Sequence, residues 1–372
     1  MQSGGVERGT LEVAAHLVAQ GHRSLVMSAG GRMVAELEAA GSTHLAYPVG
    51  RKSFLTLLLI PKLRALWRRE QVDIVHVRSR FPAWVVYLAW KGMPPDQRPR
   101  LVTTVHGYYR PGCYSRIMTY GERVIVISKT IQAYAQREYQ VDAQKLKLIY
   151  RGVDTHQYRP GYQPEEAWKQ KWFAEYPHLR GKRLLVLPAR VSRWKGAEDF
   201  VDTLSIVCQQ HKDVHALLVG EIAEDKQAFA TCLQQKIHHA GLSESITLTG
   251  YRADVKNIMA LASIVYSLST EPEAFGRTTL EALSLGVPVI GYQHGGVAEQ
   301  LAALLPEGAV PVGHVAEVAM LTLSWLEQPP TVLPNSQFSL QVMQQKTLAV
   351  YYEVMGDEVM SHEMTGDQGR AA

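Results

Sequence analysis

The chain has 372 residues, 46% of them apolar and 20% charged, with a net charge of +4. At about 100–200 residues per domain this length suggests two domains with ordinary buried cores, and the composition excludes collagen, coiled coil and extended disorder. Cys113, Cys208 and Cys232 are far apart and form no C-x-x-C pair, which excludes a disulfide scaffold or zinc finger and points to a reducing cytoplasm.

The sequence opens Met1-Gln2-Ser3-Gly4-Gly5, which is not a secretory signal, and passes directly into a helical pattern over 7–20. A glycine turn entering a helix usually follows a strand. Three residues are too few to make one, so the first strand is expected to be missing. Strand-like β-branched runs follow at 24–28, 73–77, 101–105, 124–127 and 146–150, with helical patterns at 54–70 and 130–139. The stretch 156–180 is polar and aromatic, carries Pro160, Pro164 and Pro177, and reads as a linker. Strand-like runs resume at 183–189, 215–220, 246–249, 264–268 and 287–292, with helical patterns at 197–211, 226–240 and 277–285. This alternation predicts an α/β protein of two parallel-sheet domains, 1–155 and 181–330. A last helical run covers 336–355, and the polar 356–372 is expected to be disordered. No run of about 18 apolar residues is present to make a transmembrane helix.

Charge is unevenly spread. Residues 51–129 hold fifteen Lys and Arg against four acids. Such a block attracts phosphates of lipid, nucleic acid or glycan, or is simply a solvated helical surface.

The most specific motif is Glu273-Ala274-Phe275-Gly276-Arg277-Thr278-Thr279-Leu280-Glu281, two carboxylates flanking seven residues where a loop enters a helix. Amides at a helix N-terminus favour an anion, and carboxylates there can accept hydrogen bonds from sugar hydroxyls. This region resembles the E-x7-E donor motif of retaining family 4 (group 1) glycosyltransferases of the GT-B fold. The resemblance extends to Gly4-Gly5-Val6-Glu7-Arg8, Val105-His106-Gly107, Ile127-Ser128, Gly152-Val153-Asp154, Ala189-Arg190 with Lys195-Gly196, and Gly295-Gly296. It runs in family order over residues 3–300.

The resemblance implies two Rossmann-like, doubly wound domains facing across a cleft, with the last helix returning to the N-terminal domain. It implies that Arg190 and Lys195 bind the donor diphosphate, that Glu281 holds the nucleotide ribose, and that Glu273 contacts the transferred sugar. Amides of Phe275, Gly276, Arg277 and Thr278 would support sugar and phosphate. His106 would sit beside the anomeric centre, and Gly4 and Gly5 would let the backbone approach the diphosphate. Glu273 and His106 are thus the candidate catalytic residues. Three departures stand out: the absent first strand, Arg151 where the family has Asn, and Ala189 where it often has Gly.

No D-x-D and no metal-ligand spacing appear, so no obligate metal and no cofactor beyond the nucleotide-sugar co-substrate are expected. The expected acceptor is a glycan or lipid-linked molecule, as in lipopolysaccharide or other envelope polysaccharide synthesis. Segment 51–69, with Leu57-Leu58-Leu59-Ile60 and Trp67 beside Lys62, Arg64, Arg68 and Arg69, suits an interfacial helix on an anionic membrane or a helix packed inward. That places the protein in the cytoplasm, with a peripheral position on the inner face of the cytoplasmic membrane. Two other readings stay open: a GT-B nucleotide-sugar 2-epimerase, and a basic nucleic-acid-binding protein. Binding to nucleic acid is not expected, because the aromatics fall mainly at core-like positions instead of interleaving with the basic residues.

Overall fold

In a computed structural model of the protein, residues 4–356 are described. The expected disorder of the tail concerns residues that, from 357, lie outside them. The chain divides into two compact units: Met1–Gly152 with Leu340–Ala372, and Val153–Ser339.

The first unit holds two parallel sheets. Strands β1 (Leu25–Ser28) and β2 (Thr43–Ala46) pair only with each other. Strands β3 (Ile74–Val77), β4 (Arg100–Val105), β5 (Arg123–Val126) and β6 (Leu146–Leu148) form a four-stranded sheet in that order. Among the described residues no strand precedes the helix Gly5–Ala19, which packs on both sheets. Its Val13 and Leu17 join Val102, Ile125 and Ile74 of the larger sheet, while Leu11 and Ala14 pack with Val26 of the smaller. The helix Leu340–Met355 belongs to this unit, burying Met343, Leu348, Val350, Tyr351 and Val354 in the same core.

The second unit carries one six-stranded sheet. Its strands are β7 (Arg183–Leu187), β8 (Val214–Val219), β9 (Ile246–Gly250), β10 (Ala262–Ser267), β11 (Val289–Tyr292) and β12 (Ala309–Val310). The order is β12-β11-β10-β7-β8-β9, all parallel. Leu184, Leu185, Val186 and Leu187 are all buried, as a central parallel strand covered on both faces requires. Strand order reverses between β7 and β10, and doubly wound sheets take their ligands at the carboxyl ends beside such a reversal.

Three expectations are corrected. The stretch 156–180 is not a linker but part of the second unit. It forms the helix Glu166–Glu175, whose Trp172 is buried and stacks on Trp168 at 5.5 Å. Trp168 Nε1 donates to Asp254 at 2.8 Å, and Arg252 lies over Trp172 at 5.1 Å. The aromatic content that read as irregular chain is packing surface. The helix expected over 54–70 is split into a 3-10 turn, Phe54–Leu58, and an α-helix, Leu59–Arg69. Pro61 has no N–H to continue an α-helical ladder backward, but fits the first turn of a new helix. In that helix Leu59, Leu63, Leu66 and Trp67 are buried, so its apolar face packs inward and is not the lipid-facing surface. The helix Arg80–Lys91, not anticipated, is rich in aromatic and β-branched residues of modest helix propensity; burial of Ala83, Val85, Val86 and Ala89 decides it.

Candidate donor-binding site

The chain leaving β7 turns through Ser192 into a 3-10 turn, Arg193–Lys195, and enters the helix Ala197–Gln210 through Gly196. Gly196 has φ of +75°, and a Cβ there would lie 1.9 Å from the Leu268 carbonyl oxygen, so the β7 loop presses directly on the chain leaving β10. This contact brings Lys195 to Glu273. Lys195 Nζ donates to Glu273 Oε1 at 2.8 Å, and Ser269 Oγ donates to the same oxygen at 2.6 Å. Lys195 also lies 4.1 Å from the Trp194 ring centroid. Both members of the pair are mostly buried, with side chains 16% and 18% exposed. Lys195, Ser269, Glu273 and Thr278 line a small cavity with Ala189 and Leu268, at the carboxyl ends of β7 and β10.

Beyond Glu273 the loop is held from behind. The Gly296 N–H donates to the Glu273 carbonyl at 2.8 Å. A Cβ on Gly295 would lie 2.4 Å from that carbonyl oxygen, and one on Gly296 would lie 2.5 Å from Phe275 Cα. The glycine pair thus lets the helix Gly295–Leu304 abut the loop. Gln300 Nε2 donates to the Phe275 carbonyl at 2.5 Å, and His294 Nε2 donates to the Ser269 carbonyl at 2.6 Å. Gly276, with φ of +84°, then starts the helix Arg277–Ser284. Its first-turn amides, including that of Thr278, have no intrahelical acceptor and can meet an anion. The Phe275 side chain is buried against Phe338, so its backbone alone can serve a ligand. Arg277 Nε donates to Glu281 Oε1 at 2.9 Å, fixing that carboxylate one turn into the helix.

The structure therefore unites Lys195, Glu273 and Thr278 and couples Arg277 to Glu281. Arg190 is exposed on the same β7 loop and takes no part in the Lys195–Glu273 pair. A Cβ on Gly220 would lie 2.1 Å from the Ala189 carbonyl oxygen, so Gly220 provides the room. Ser269, His294 and Gln300 were not foreseen; nothing in local sequence marks them, because each acts through a contact distant along the chain.

In the first unit, His106 follows β4 directly. Arg151 Nη2 donates to its Nδ1 at 2.7 Å, and the Tyr109 hydroxyl accepts from its backbone N–H at 3.1 Å. Burial, and then the charges of Arg151 and Arg78, push its pKa well below the usual histidine range, so the ring is neutral. Gly4 caps the helix Gly5–Ala19 in extended conformation, and both Gly4 and Gly5 are exposed. The glycine this helix needs for close packing is Gly9, where a Cβ would lie 2.4 Å from Arg151 Nη1.

Residues 3–157 match the family described as Glycosyltransferase Family 4, and residues 169–333 match Glycosyl transferases group 1. A glycosyltransferase from Rickettsia africae ESF-5 has a similar structure, with a TM-score of 0.82 and 29% identity over 95% of this chain and 96% of that one. Anabaena HepE, solved with UDP and glucose, aligns with a TM-score of 0.72 at 22% identity over 98% of both chains. The N-acetyl-α-D-glucosaminyl L-malate synthase of Bacillus anthracis is 23% identical over 318 residues, 83% of this chain and 78% of that protein. With both halves matched in order, the chain belongs to the family 4 (group 1) glycosyltransferases and has their GT-B fold.

Proposed function

We propose that the protein transfers a sugar from a nucleotide-sugar donor to a glycan or lipid-linked acceptor with retention of anomeric configuration, in lipopolysaccharide or other envelope polysaccharide synthesis. The observation that carries the reading is the Lys195–Glu273 pair at 2.8 Å, set where strand order reverses between β7 and β10. It offers a cation to a diphosphate and, next to it, a carboxylate to sugar hydroxyls. Arg190 adds a second cation and the amides of Gly276, Arg277 and Thr278 a set of neutral donors. Glu281 accepts from the ribose. In the reaction the bond from the anomeric carbon to the diphosphate oxygen breaks, and the acceptor oxygen bonds to that carbon on the same face. The acceptor hydroxyl proton passes to the departing phosphate oxygen, and a nucleoside diphosphate leaves. His106, neutral and donating from Nε2, contacts the transferred sugar, and Gly4 and Gly5 admit the diphosphate. Fixed charges aimed at the leaving group supply the stabilisation without an obligate metal, so turnover should persist in EDTA. HepE, whose structure contains UDP and glucose, supports a nucleotide-sugar donor by analogy. The direct test is thermal stability with UDP-, GDP- and ADP-sugars. A ligand at 100 times its Kd adds about 2.7 kcal/mol; no shift with any of them overturns the reading.

We further propose peripheral contact with the inner face of the cytoplasmic membrane, through the first turn of segment 51–69 and not through the helix that follows it. Arg64 Nε and Nη2 donate to the carbonyls of Ala89 and Leu88, so Arg64 closes the end of a neighbouring helix and is not available to lipid. The preceding turn is the better surface. Ser53 accepts from the Leu55 N–H and the buried Thr56 hydroxyl donates to the Arg51 carbonyl, which turns the apolar side chains outward. Phe54 is 91% exposed, Leu55 71% and Leu58 64%. Arg51, Lys52 and Lys62 beside them are exposed as well, and each cation near an anionic leaflet adds about 1 kcal/mol of attraction. Binding to phosphatidylglycerol vesicles should weaken with salt and be lost in Phe54→Ser/Leu55→Ser; indifference to such vesicles at low salt overturns the proposal.

A further inference from the structure

The chain leaving β10 runs through segment 269–273 before it reaches the helix Arg277–Ser284, and the turn after β11 clamps that segment at both ends. His294, two residues beyond β11, caps the helix Gly295–Leu304 with extended backbone. Its Nε2 meets the Ser269 carbonyl oxygen at 2.6 Å. A carbonyl can only accept, so the His294 proton sits on Nε2. Two residues on, the Gly296 N–H donates to the Glu273 carbonyl at 2.8 Å. From the other side the Trp194 carbonyl, in the β7 loop beside Lys195, accepts from the Thr270 N–H at 2.8 Å. The main chain of the segment is therefore pinned from two directions, with the exposed Glu271 and Pro272 between the pins.

What the pins fix is one carboxylate. Ser269, held through its carbonyl, is buried and donates its hydroxyl to Glu273 Oε1 at 2.6 Å, and Lys195 Nζ donates to the same oxygen at 2.8 Å. Both donors fall on Oε1, and Oε2 takes no partner among the described residues. Lys195 alone would hold this orientation poorly. Its ammonium is a point charge on a flexible stem, which sets distance more than direction, and a diphosphate would compete for the same group. Ser269 is short and neutral, so its bond stays when Lys195 turns to an anion. We propose that His294 and Ser269 are positioning residues: they hold Glu273 with Oε1 occupied by the protein and Oε2 left for a hydroxyl of the transferred sugar. The sugar as ligand rests on the glycosyltransferase reading; the placement of the carboxylate by His294 and Ser269 does not. An apolar residue at 294 could fill the same space but would leave the Ser269 carbonyl without this donor and the hydroxyl free to swing from Glu273.

Two measurements on the full chain test this. Without ligand, labelling of Lys195 by acetic anhydride, read by mass spectrometry, reports whether Glu273 still covers its Nζ. Ser269→Ala and His294→Leu should each label Lys195 several-fold faster than wild type. His294→Gln, which can donate an N–H from a similar distance along its side chain, should label like wild type. Calorimetry then uses UDP-glucose with UDP, GDP-mannose with GDP, and ADP-glucose with ADP. For the pair that binds wild type, Ser269→Ala and His294→Leu should weaken the nucleotide-sugar roughly tenfold, as loss of a hydrogen bond to a charged group implies, and leave the nucleoside diphosphate within about twofold. Either change added to Glu273→Ala should bring no further loss. A merely structural role would lower the melting temperature and weaken both ligands alike. Unchanged Lys195 labelling, equal weakening of nucleotide-sugar and diphosphate, full additivity with Glu273→Ala, or a His294→Gln variant no better than His294→Leu overturns the proposal. Binding of no nucleotide to wild type, with the labelling result intact, overturns the donor reading and leaves the placement of Glu273 standing.

Discussion

The two units place polar chemistry at the same end of parallel strands but handle charge in opposite ways. In the second unit two cations of the site are paired with carboxylates: Lys195 with Glu273 and Arg277 with Glu281. In the first, Arg78 and Arg151 surround two imidazoles held neutral by burial, with Glu12 as the facing acid. A matched pair is preorganised and close to neutral before it meets a ligand. The backbone differs in the same sense. Gly196 and Gly295 of the second unit press against main-chain carbonyls, whereas Gly9 of the first presses on the movable end of Arg151.

That backbone difference gives the largest expected effect. Gly196→Ala puts a Cβ 1.9 Å from a carbonyl oxygen at a positive φ, and should cost about 3 kcal/mol or more in urea denaturation. Gly9→Ala should cost much less, because a guanidinium can shift, while disturbing the His106 contact. Equal losses would erase the contrast.

Next is the matched site. Glu281→Ala should lower donor affinity by about 1.5–3 kcal/mol, the range for a hydrogen bond to a charged group. Arg190→Ala and Lys195→Ala should be non-additive in kcat/KM if both serve one diphosphate. Strict additivity with small losses would make Arg190 a surface charge.

Titration sharpens the comparison further. His215 in the second unit is lowered to about 4 by burial first and by His178 second, and burial pushes His76 and His106 in the first well below the usual histidine range. A depressed histidine favours the folded state above its unfolded value of about 6.5. Below that value the unfolded chain binds more protons, so stability falls with pH by up to about 1.4 kcal/mol per unit for each group. The His215 contribution should fade between about pH 6.5 and its folded value of about 4. His215→Gln should flatten that part of a melting-temperature profile, and an unchanged slope would exclude it. The smallest effect belongs to the exposed turn. Leu58→Ser should change stability by less than about 0.5 kcal/mol, and a larger loss measured in urea would mean that the turn is packed.

Much of this was legible in the sequence. The strand runs around 184–187 and 216–219 are apolar throughout, and only a strand covered on both faces has a use for that pattern. The Glu273–Glu281 spacing, the glycines 276, 295 and 296 and the β7 loop cations were readable because one continuous segment encodes each. β2 and β12 were not, being edge strands of four and two residues with little periodicity to detect.

What the sequence alone determined is the alternation of strand and helix, the family, and which residues lie at strand ends, since these follow from local pattern and order. Only the tertiary structure decided which charges meet. Lys195 and Glu273 are 78 residues apart, and Arg151 and His106 are 45 apart. Their pairing depends on strand order and on glycines that let loops touch. The same holds for the apolar residues of 54–67: periodicity gives them a common face, but burial of Leu63 and Trp67 and exposure of Phe54 and Leu55 are set by the neighbouring helix against which that face packs.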